Sequence, residues 1–121
     1  MKLMTKAIEK RFEKTGRQEG INDPVCIAKF FCPWNYWTWY ATEYDSESKN
    51  FFGVVYGHEI EWGYFNLDEL QSVKGDGFSA GLGIERDRLF DSGTYHVQTT
   101  NDECRNISIV RVDGSTYHEL G

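Results

Sequence analysis

The amino-acid sequence predicts an α+β domain in which an N-terminal helix packs on a largely antiparallel, aromatic-rich meander sheet, with a second short helix after the fourth strand. Two observations lead to this fold class. Helical periodicity near the N-terminus is followed by several alternating segments at hairpin spacing. In addition, fourteen of the nineteen aromatic residues lie between Phe30 and Phe65, which places the core at the sheet. A chain of 121 residues has the size of one domain, so residues 1–121 are expected to share one core.

Two segments carry the signals of a helix. Thr5 can cap the first helix and Gly16 can end it. Asn66 can cap the second helix, with Glu69 placed three residues later as in a capping box. The apolar positions that would face the sheet are Met4, Ile8 and Phe12 in the first helix and Leu67, Leu70 and Val73 in the second.

The strands are recognised by alternation and by the turn residues between them. The clearest is 36–44, in which bulky or β-favouring residues occupy both faces. Its Trp39 is expected in the core, and Trp34, in the break before it, outside the core. Gly57 and His58 fit a two-residue turn of type II′, which requires glycine first. The predicted strands are 25–31, 36–44, 51–56, 59–65, 94–99 and 106–112.

Three cysteines, Cys26, Cys32 and Cys104, do not form the dense pattern of a disulfide framework. Cys26 and Cys32 fall in one predicted strand with even spacing, so they are expected on the same face but too far apart to pair. Reduced, mostly buried thiols are therefore predicted.

The net charge of −6 is unevenly distributed. Residues 1–20 carry six basic and three acidic groups, whereas residues 43–69 carry seven carboxylates and one lysine, Lys49. An acidic surface repels phosphate, so no direct binding of duplex DNA is expected. It suits a protein partner with a basic surface, such as a nucleic-acid-binding defence protein.

The sequence contains no recognisable catalytic or metal-binding motif. It has no C-x-x-C, no H-E-x-x-H, no calcium loop and no phosphate-binding loop leading into a helix. No catalytic, cofactor-binding or metal-binding residue is therefore assigned. The charged N-terminus lacks the apolar core of a signal peptide, and no apolar stretch is long enough to span a membrane. A cytoplasmic location without membrane contact is expected.

The candidate partner-binding residues combine carboxylates with large aromatic rings, the mixture found at protein-binding hot spots. Arg86 is added because it lies between Glu85 and Asp87. That triplet is interpreted first as an internal ion-pair network, with recognition of a carboxylate or phosphate by Arg86 as the alternative. The candidates are Glu43, Asp45, Glu59, Glu61, Trp34, Tyr36 and Arg86.

Five strings of the sequence occur together in a pattern typical of one family. They are L-x-T-K-x-I-E-K at 3–10, W-T-W-Y-x-T-E-Y-D at 37–45, F-F-G-x-V-x-G-x-E at 51–59, G-Y-F-x-L-x-E-L at 63–70 and E-R-D at 85–87. With these strings the chain resembles a family of short bacterial proteins of unknown function carried on plasmids, phages and conjugative elements. The resemblance covers about 3–90, and the tail 91–121 is not matched.

The resemblance implies an accessory protein of a mobile genetic element that acts on host machinery. We therefore expect a non-enzymatic protein that binds a host or element-encoded protein through an acidic and aromatic surface. Its sharpest form is an anti-defence inhibitor, anti-CRISPR or anti-restriction, that mimics nucleic-acid charge. Two alternatives stay open: a small enzyme acting on a nucleotide-like or acyl substrate with Arg86 as anchor, and a DNA-associated accessory factor that uses the basic N-terminal helix.

Overall fold

The computed structural model describes residues 2–99 and 106–113, and in those residues it contains two α-helices and seven strands. A 3-10 turn at Gly77–Ser79 lies in the long connection after the second helix. The predicted α+β class is confirmed, including the N-terminal helix, the antiparallel sheet and the short helix after the fourth strand. In chain order the elements are α1 (Lys6–Thr15), β1 (Ala28–Phe31), β2 (Thr38–Asp45), β3 (Asn50–Tyr56), β4 (Ile60–Asn66), α2 (Leu67–Ser72), β5 (Glu85–Arg86), β6 (Tyr95–Thr99) and β7 (Ile107–Arg111).

Strands β1 to β5 form one sheet in the order β4-β3-β2-β1-β5, and all its neighbouring strands are antiparallel. Helix α1 covers one face, because Ile8 and Phe12 pack in one cluster with Phe30. A separate hairpin of β6 and β7 covers the other face, where Val97 packs with Tyr40 of the central strand. The middle of the sheet is therefore buried on both sides, in a first core beneath α1 and a second core beneath the hairpin.

The caps of both helices are the predicted ones. The Thr5 hydroxyl accepts a hydrogen bond from the Ile8 N–H (3.2 Å), and Gly16 ends α1 with a left-handed φ of 70°. Asn66 Oδ1 accepts two N–H groups of the first turn of α2, at 2.9 and 3.2 Å. The apolar stripe of α2 is shorter than predicted, since Val73 follows the last helical residue and is exposed.

The chain changes partner strand at residues 24–28, where the sequence predicts a continuous strand. The Cys26 N–H donates to a carbonyl of β6 (2.7 Å), whereas the Ile27 N–H donates to a carbonyl of β2 (2.8 Å). Cys26 therefore lies in the second core and Cys32 in the first. The prediction that these two cysteines share a face is wrong, because strand alternation does not continue where the backbone moves between two sheets. Both are reduced and buried, and Cys104 lies outside the described residues.

The turn between β3 and β4 is not the predicted type II′ turn. Tyr56 pairs with Ile60, so the turn has three residues, and Gly57 lacks the positive φ that type II′ requires. A Cβ atom on Gly57 would lie 2.5 Å from the ring of Trp37. Glycine is needed here for the close approach of that ring, a contact between segments that the local sequence does not reveal.

The tryptophans lie at the margins of the core rather than at its centre. Trp34 and Trp39 are both half-buried, and both pack against the first core, so the predicted contrast between them is wrong. The fully buried aromatic of β2 is Tyr40, which is 0% exposed. Its ring contacts those of Tyr56 (5.4 Å) and Phe90 (6.2 Å). Tyr40 is buried because the hairpin covers the face of the sheet on which it lies.

Gly53 and Gly63 are paired across β3 and β4 but have different surroundings. A Cβ atom on Gly53 would clash with the Tyr40 carbonyl oxygen, whereas one on Gly63 would meet nothing within 4 Å. We expect Gly53→Ala to lower the free energy of unfolding by about 3 kcal/mol, because the backbone of β2 must move. Gly63→Ala should change it by less than about 1 kcal/mol. Urea denaturation of both variants checks the difference, and equal losses would contradict it.

Burial of Cys26 makes the stability of the fold depend on pH in the alkaline range. Burial raises the pKa of the Cys26 thiol from 9.0 to about 12. The unfolded thiol thus ionises first, so the stability that depends on its neutral form is complete below pH 9.0 and decreases as the pH rises toward about 12. We expect the difference in unfolding free energy between wild type and Cys26→Ala to be constant near neutrality and to shrink in this window. Urea denaturation across a pH series measures it, and a difference that stays constant would refute the prediction.

Candidate functional site

An open cleft of about 910 Å³ lies at the end of the sheet where β2 turns into β3. The loop 16–24, together with the end of α1, forms one wall of the cleft. The β2–β3 turn and the outer strand β4 contribute a second wall, and the end of β6 contributes the remainder. The cleft is therefore built by segments from both ends of the described chain, and its walls differ in chemistry.

The charged side chains of the cleft are predominantly acidic. Five carboxylates line it, against one guanidinium, that of Arg17. Asp45 accepts hydrogen bonds from the Ser48 hydroxyl (2.7 Å) and the Glu47 N–H (3.3 Å), and these bonds lower the pKa of its carboxyl group. The excess of carboxylates attracts basic groups. The five acidic residues are Glu13, Glu19, Asp23, Glu43 and Asp45.

The aromatic side of the cleft is a stack of three rings on β3 and β4. Phe52 lies parallel to Trp62, with ring centroids 5.5 Å apart and an interplanar angle of 11°. Tyr64 packs against the same Phe52 ring at 4.9 Å. Tyr64 remains 77% exposed and Trp62 is half-buried, so both rings offer surface to a ligand. The faces of such rings attract cations and planar groups.

Tyr44 connects the cleft to the first core. Its ring packs on Phe51 at 4.8 Å, and its position beside the cleft brings it close to acidic groups. Burial, followed by the charges of Glu9, Asp68 and Asp45, raises the pKa of the Tyr44 phenol. The hydroxyl group therefore stays protonated, and able to donate a hydrogen bond, to a higher pH than that of an ordinary tyrosine.

The floor of the cleft is fixed by Gln18, a buried residue of the loop 16–24. Its amide nitrogen donates to the Thr42 carbonyl (2.7 Å) and the Val25 carbonyl (2.8 Å), and its amide oxygen accepts from the Val25 N–H (2.8 Å). Gln18 is only 6% exposed, so its polar atoms are satisfied by the backbone. Sequence reasoning missed this residue, because a glutamine in a glycine-flanked polar loop has no pattern that marks it as buried.

The structure separates the partner-binding residues predicted from the sequence. Glu43 and Asp45 line the cleft. Both Glu59 and Glu61 are exposed outside the lining of the cleft. Glu59 lies in the β3–β4 turn, at the opposite end of the sheet from Asp45 and about 20 Å away by the rise of a strand, whereas Glu61 pairs with Val55 and precedes Trp62 in the chain. Tyr36, which is 87% exposed, and the half-buried Trp34 lie in the β1–β2 connection at that same opposite end. The carboxylates of β2 are thus brought together with Trp62 and Tyr64 rather than with the predicted aromatic residues.

Arg86 lies in β5, at the other edge of the sheet. Its Nη1 donates to the carbonyls of Lys2 (2.8 Å) and Leu3 (2.9 Å), which attaches the N-terminal segment to β5. Asp87 Oδ2 lies 3.6 Å from Lys29 Nζ, an ion pair between the end of β5 and β1. The triplet at 85–87 therefore pins its segment to the sheet, in line with the structural interpretation, although Arg86 does so through backbone carbonyls.

The described residues offer little for metal or nucleophilic chemistry. Within 2–99 and 106–113, no three His, Cys, Asp or Glu side chains are grouped so that they could hold a metal ion. The same residues contain no helix that is long and apolar enough to cross a membrane. His58 lies against the ring of Trp37 (5.4 Å) in an exposed turn, and Cys32 is buried in the first core.

The protein is a small α+β domain in which a helix and a hairpin enclose an antiparallel sheet that ends in an acidic, aromatic cleft. The model of a family described as "Protein of unknown function (DUF2958)" matches residues 3–102, and the chain belongs to that family. The match includes the whole of β6 and thus extends past residue 90. Comparisons with curated proteins and with solved structures found no match.

Gln18 also allows a test of how the cleft is held together. Gln18→Leu removes three hydrogen bonds, two to the partly buried backbone of Val25 and one to the buried Thr42 carbonyl. We expect it to lower the free energy of unfolding by about 3 kcal/mol. Gln98→Leu, at an exposed position of the same cleft, is the control and should cost less than about 0.5 kcal/mol. Chemical denaturation compares the two, and a small loss for Gln18→Leu would show that the loop is not held by this side chain.

Proposed function

We propose that this protein binds a basic segment of a protein partner through its acidic, aromatic cleft. The observation that carries the proposal is the convergence of five carboxylates and exposed aromatic rings on one concave surface. A volume of about 910 Å³ is enough for several side chains of an extended peptide and lies near the upper end of the usual ligand-pocket range.

Each wall of the cleft recognises a different part of a basic side chain. Glu13 on α1 and Glu43 on β2 accept hydrogen bonds from a lysine or arginine head group and attract its positive charge. Tyr64 and Trp62 receive the guanidinium or the aliphatic stem on their ring faces, a cation–π contact of ~0.5–1 kcal/mol at an exposed site. The excess negative charge also accelerates the encounter with a basic partner, and salt weakens that effect.

In its sharpest form the proposal makes the protein an inhibitor of a nucleic-acid-binding protein. A partner that binds phosphates carries arginine and lysine side chains on an accessible surface, and carboxylates can occupy them in place of phosphates. The net charge of −6 supports this form, as does the low number of basic groups in the cleft. The inhibitor would then compete with nucleic acid for the partner, as an anti-defence protein of a mobile element does.

The proposal is tested by reversing charge at one end of the sheet and then at the other. We expect Glu13→Lys with Glu43→Lys to weaken binding of a labelled arginine-rich peptide by about tenfold, equivalent to ~1.4 kcal/mol. Glu59→Lys with Glu61→Lys is the matched control, since it changes the net charge equally at exposed positions that do not line the cleft. The control should weaken binding by less than about threefold, which is the part due to net charge alone.

Fluorescence anisotropy measures both affinities, with thermal melts to verify that each variant is folded. Tyr64→Ala should weaken binding as well, because it removes an exposed ring without changing charge. If the two double variants weaken binding equally and Tyr64→Ala has no effect, the peptide responds only to net charge. That outcome would refute the cleft as a binding site.

A further inference from the structure

A second cavity, of about 290 Å³, lies on the other side of α1, against the segment that follows β5. Its character is opposite to that of the acidic cleft. Three arginines and one aspartate contribute the charged part of its lining, and the remainder is largely apolar. The charged residues are Arg11, Arg86, Asp87 and Arg88.

Arg11 is held at this cavity by a short hydrogen-bonded chain. Its Nη1 donates to Ser92 Oγ (3.1 Å), and Ser92 Oγ in turn donates to the Ile27 carbonyl (2.6 Å). The contact joins a helix residue to a turn residue 81 positions later in the chain. Arg11 is an exposed residue, and this hydrogen bond positions its guanidinium at the cavity.

Arg86 and Arg88 bring two further guanidinium groups to the same place. Arg86 is fixed by its hydrogen bonds to the carbonyls of Lys2 and Leu3. Burial lowers the pKa of Arg86, and the charges of Arg88 and Arg11 lower it further. Arg11 and Arg88 line the same cavity as Arg86, and both are close enough to Arg86 for their charges to act on it.

The aspartate that lines the cavity forms no ion pair with Arg11 or Arg88, because it contacts Lys29 and the Leu89 N–H instead. Asp87 Oδ2 pairs with Lys29 Nζ at 3.6 Å, and Asp87 Oδ1 accepts the Leu89 N–H at 2.9 Å. Among residues 2–99 and 106–113, no carboxylate oxygen lies within 4.0 Å of a side-chain nitrogen of Arg11 or Arg88. Concentrated positive charge in a protein of net charge −6 points to an anionic ligand.

We propose that the cavity of Arg11, Arg86 and Arg88 binds a phosphoryl group of a small molecule. Planar guanidinium groups donate paired hydrogen bonds to phosphate oxygens, and several of them match the double charge of a phosphate monoester. Apolar walls formed by Ile8 and Phe90 strengthen these interactions by limiting water. The volume lies at the lower limit of ligand pockets, which favours a small anion over a long chain.

The test is an NMR titration of the full chain with inorganic phosphate at constant ionic strength, with the arginine Nε–Hε resonances as the readout. Saturable shifts are expected for Arg11 and Arg88. Arg88→Gln and Arg11→Gln should each raise the dissociation constant by about tenfold, since each removes a charge-assisted hydrogen-bond donor. Arg17→Gln, which makes the same charge change in the acidic cleft, should leave it within about twofold. Arg86 is left unchanged because it attaches the N-terminal segment.

Three results would overturn the proposal. Phosphate could produce no saturable shift, or it could bind to both cavity variants as tightly as to the wild type. Acetate could also bind as tightly as phosphate, which would exclude a site selective for a doubly charged phosphoryl group. Because the readout does not involve the arginine-rich peptide, failure here is independent of failure of the cleft.

Discussion

The hydrogen bonds of Gln18 are the interaction on which the arrangement of the two sheets depends. At the crossing, the backbone of Pro24 and Cys26 pairs with β6, so the N–H and carbonyl of Val25 point away from that strand. The Gln18 side chain forms hydrogen bonds with both of these groups. It also donates a hydrogen bond to the Thr42 carbonyl. A buried polar backbone without partners would be costly, so this side chain permits the crossing that places the hairpin over Tyr40. The same side chain forms the floor of the acidic cleft, which links the stability of the fold to the geometry of the site.

Helix α1 separates two regions of opposite charge. Near its C-terminal end Glu13 contributes to the acidic cleft, while Arg11 faces the arginine cavity on the other side. A helix advances about 100° per residue, so residues two positions apart lie on clearly different faces. The sheet and the helix keep the two regions apart, so the proposed basic partner and the proposed anionic ligand would be attracted to different places on the same small domain.

The sequence was sufficient for elements whose signals are local. Thr5 and Asn66 identify helix starts because a cap is a contact within a few residues, and alternation identifies the strands around Tyr40. Features that depend on distant segments were not predictable. Gly57 is needed because of Trp37, and Cys26 changes face because of β6.

Both candidate sites also depend on contacts between distant segments. The charge pattern alone was enough to propose Glu43 and Asp45 as binding residues. Only the fold shows that they share a cleft with Glu13, and that Arg11 shares a cavity with Arg86.

The number of arginines in the cavity bears on which anion it suits. A protein that binds duplex DNA spreads its basic groups along a surface and contacts many phosphates, often ~6–10. Here three guanidinium groups converge on a single cavity of about 290 Å³, and the larger cleft beside α1 is acidic. A polyanion that placed one phosphate in the cavity would gain no neighbouring contacts from the cleft and would be repelled by it. Because the three guanidinium groups converge on one cavity instead of extending along a surface, they favour a single phosphoryl group as ligand. The same arrangement argues against a DNA-associated factor that uses the basic face of α1.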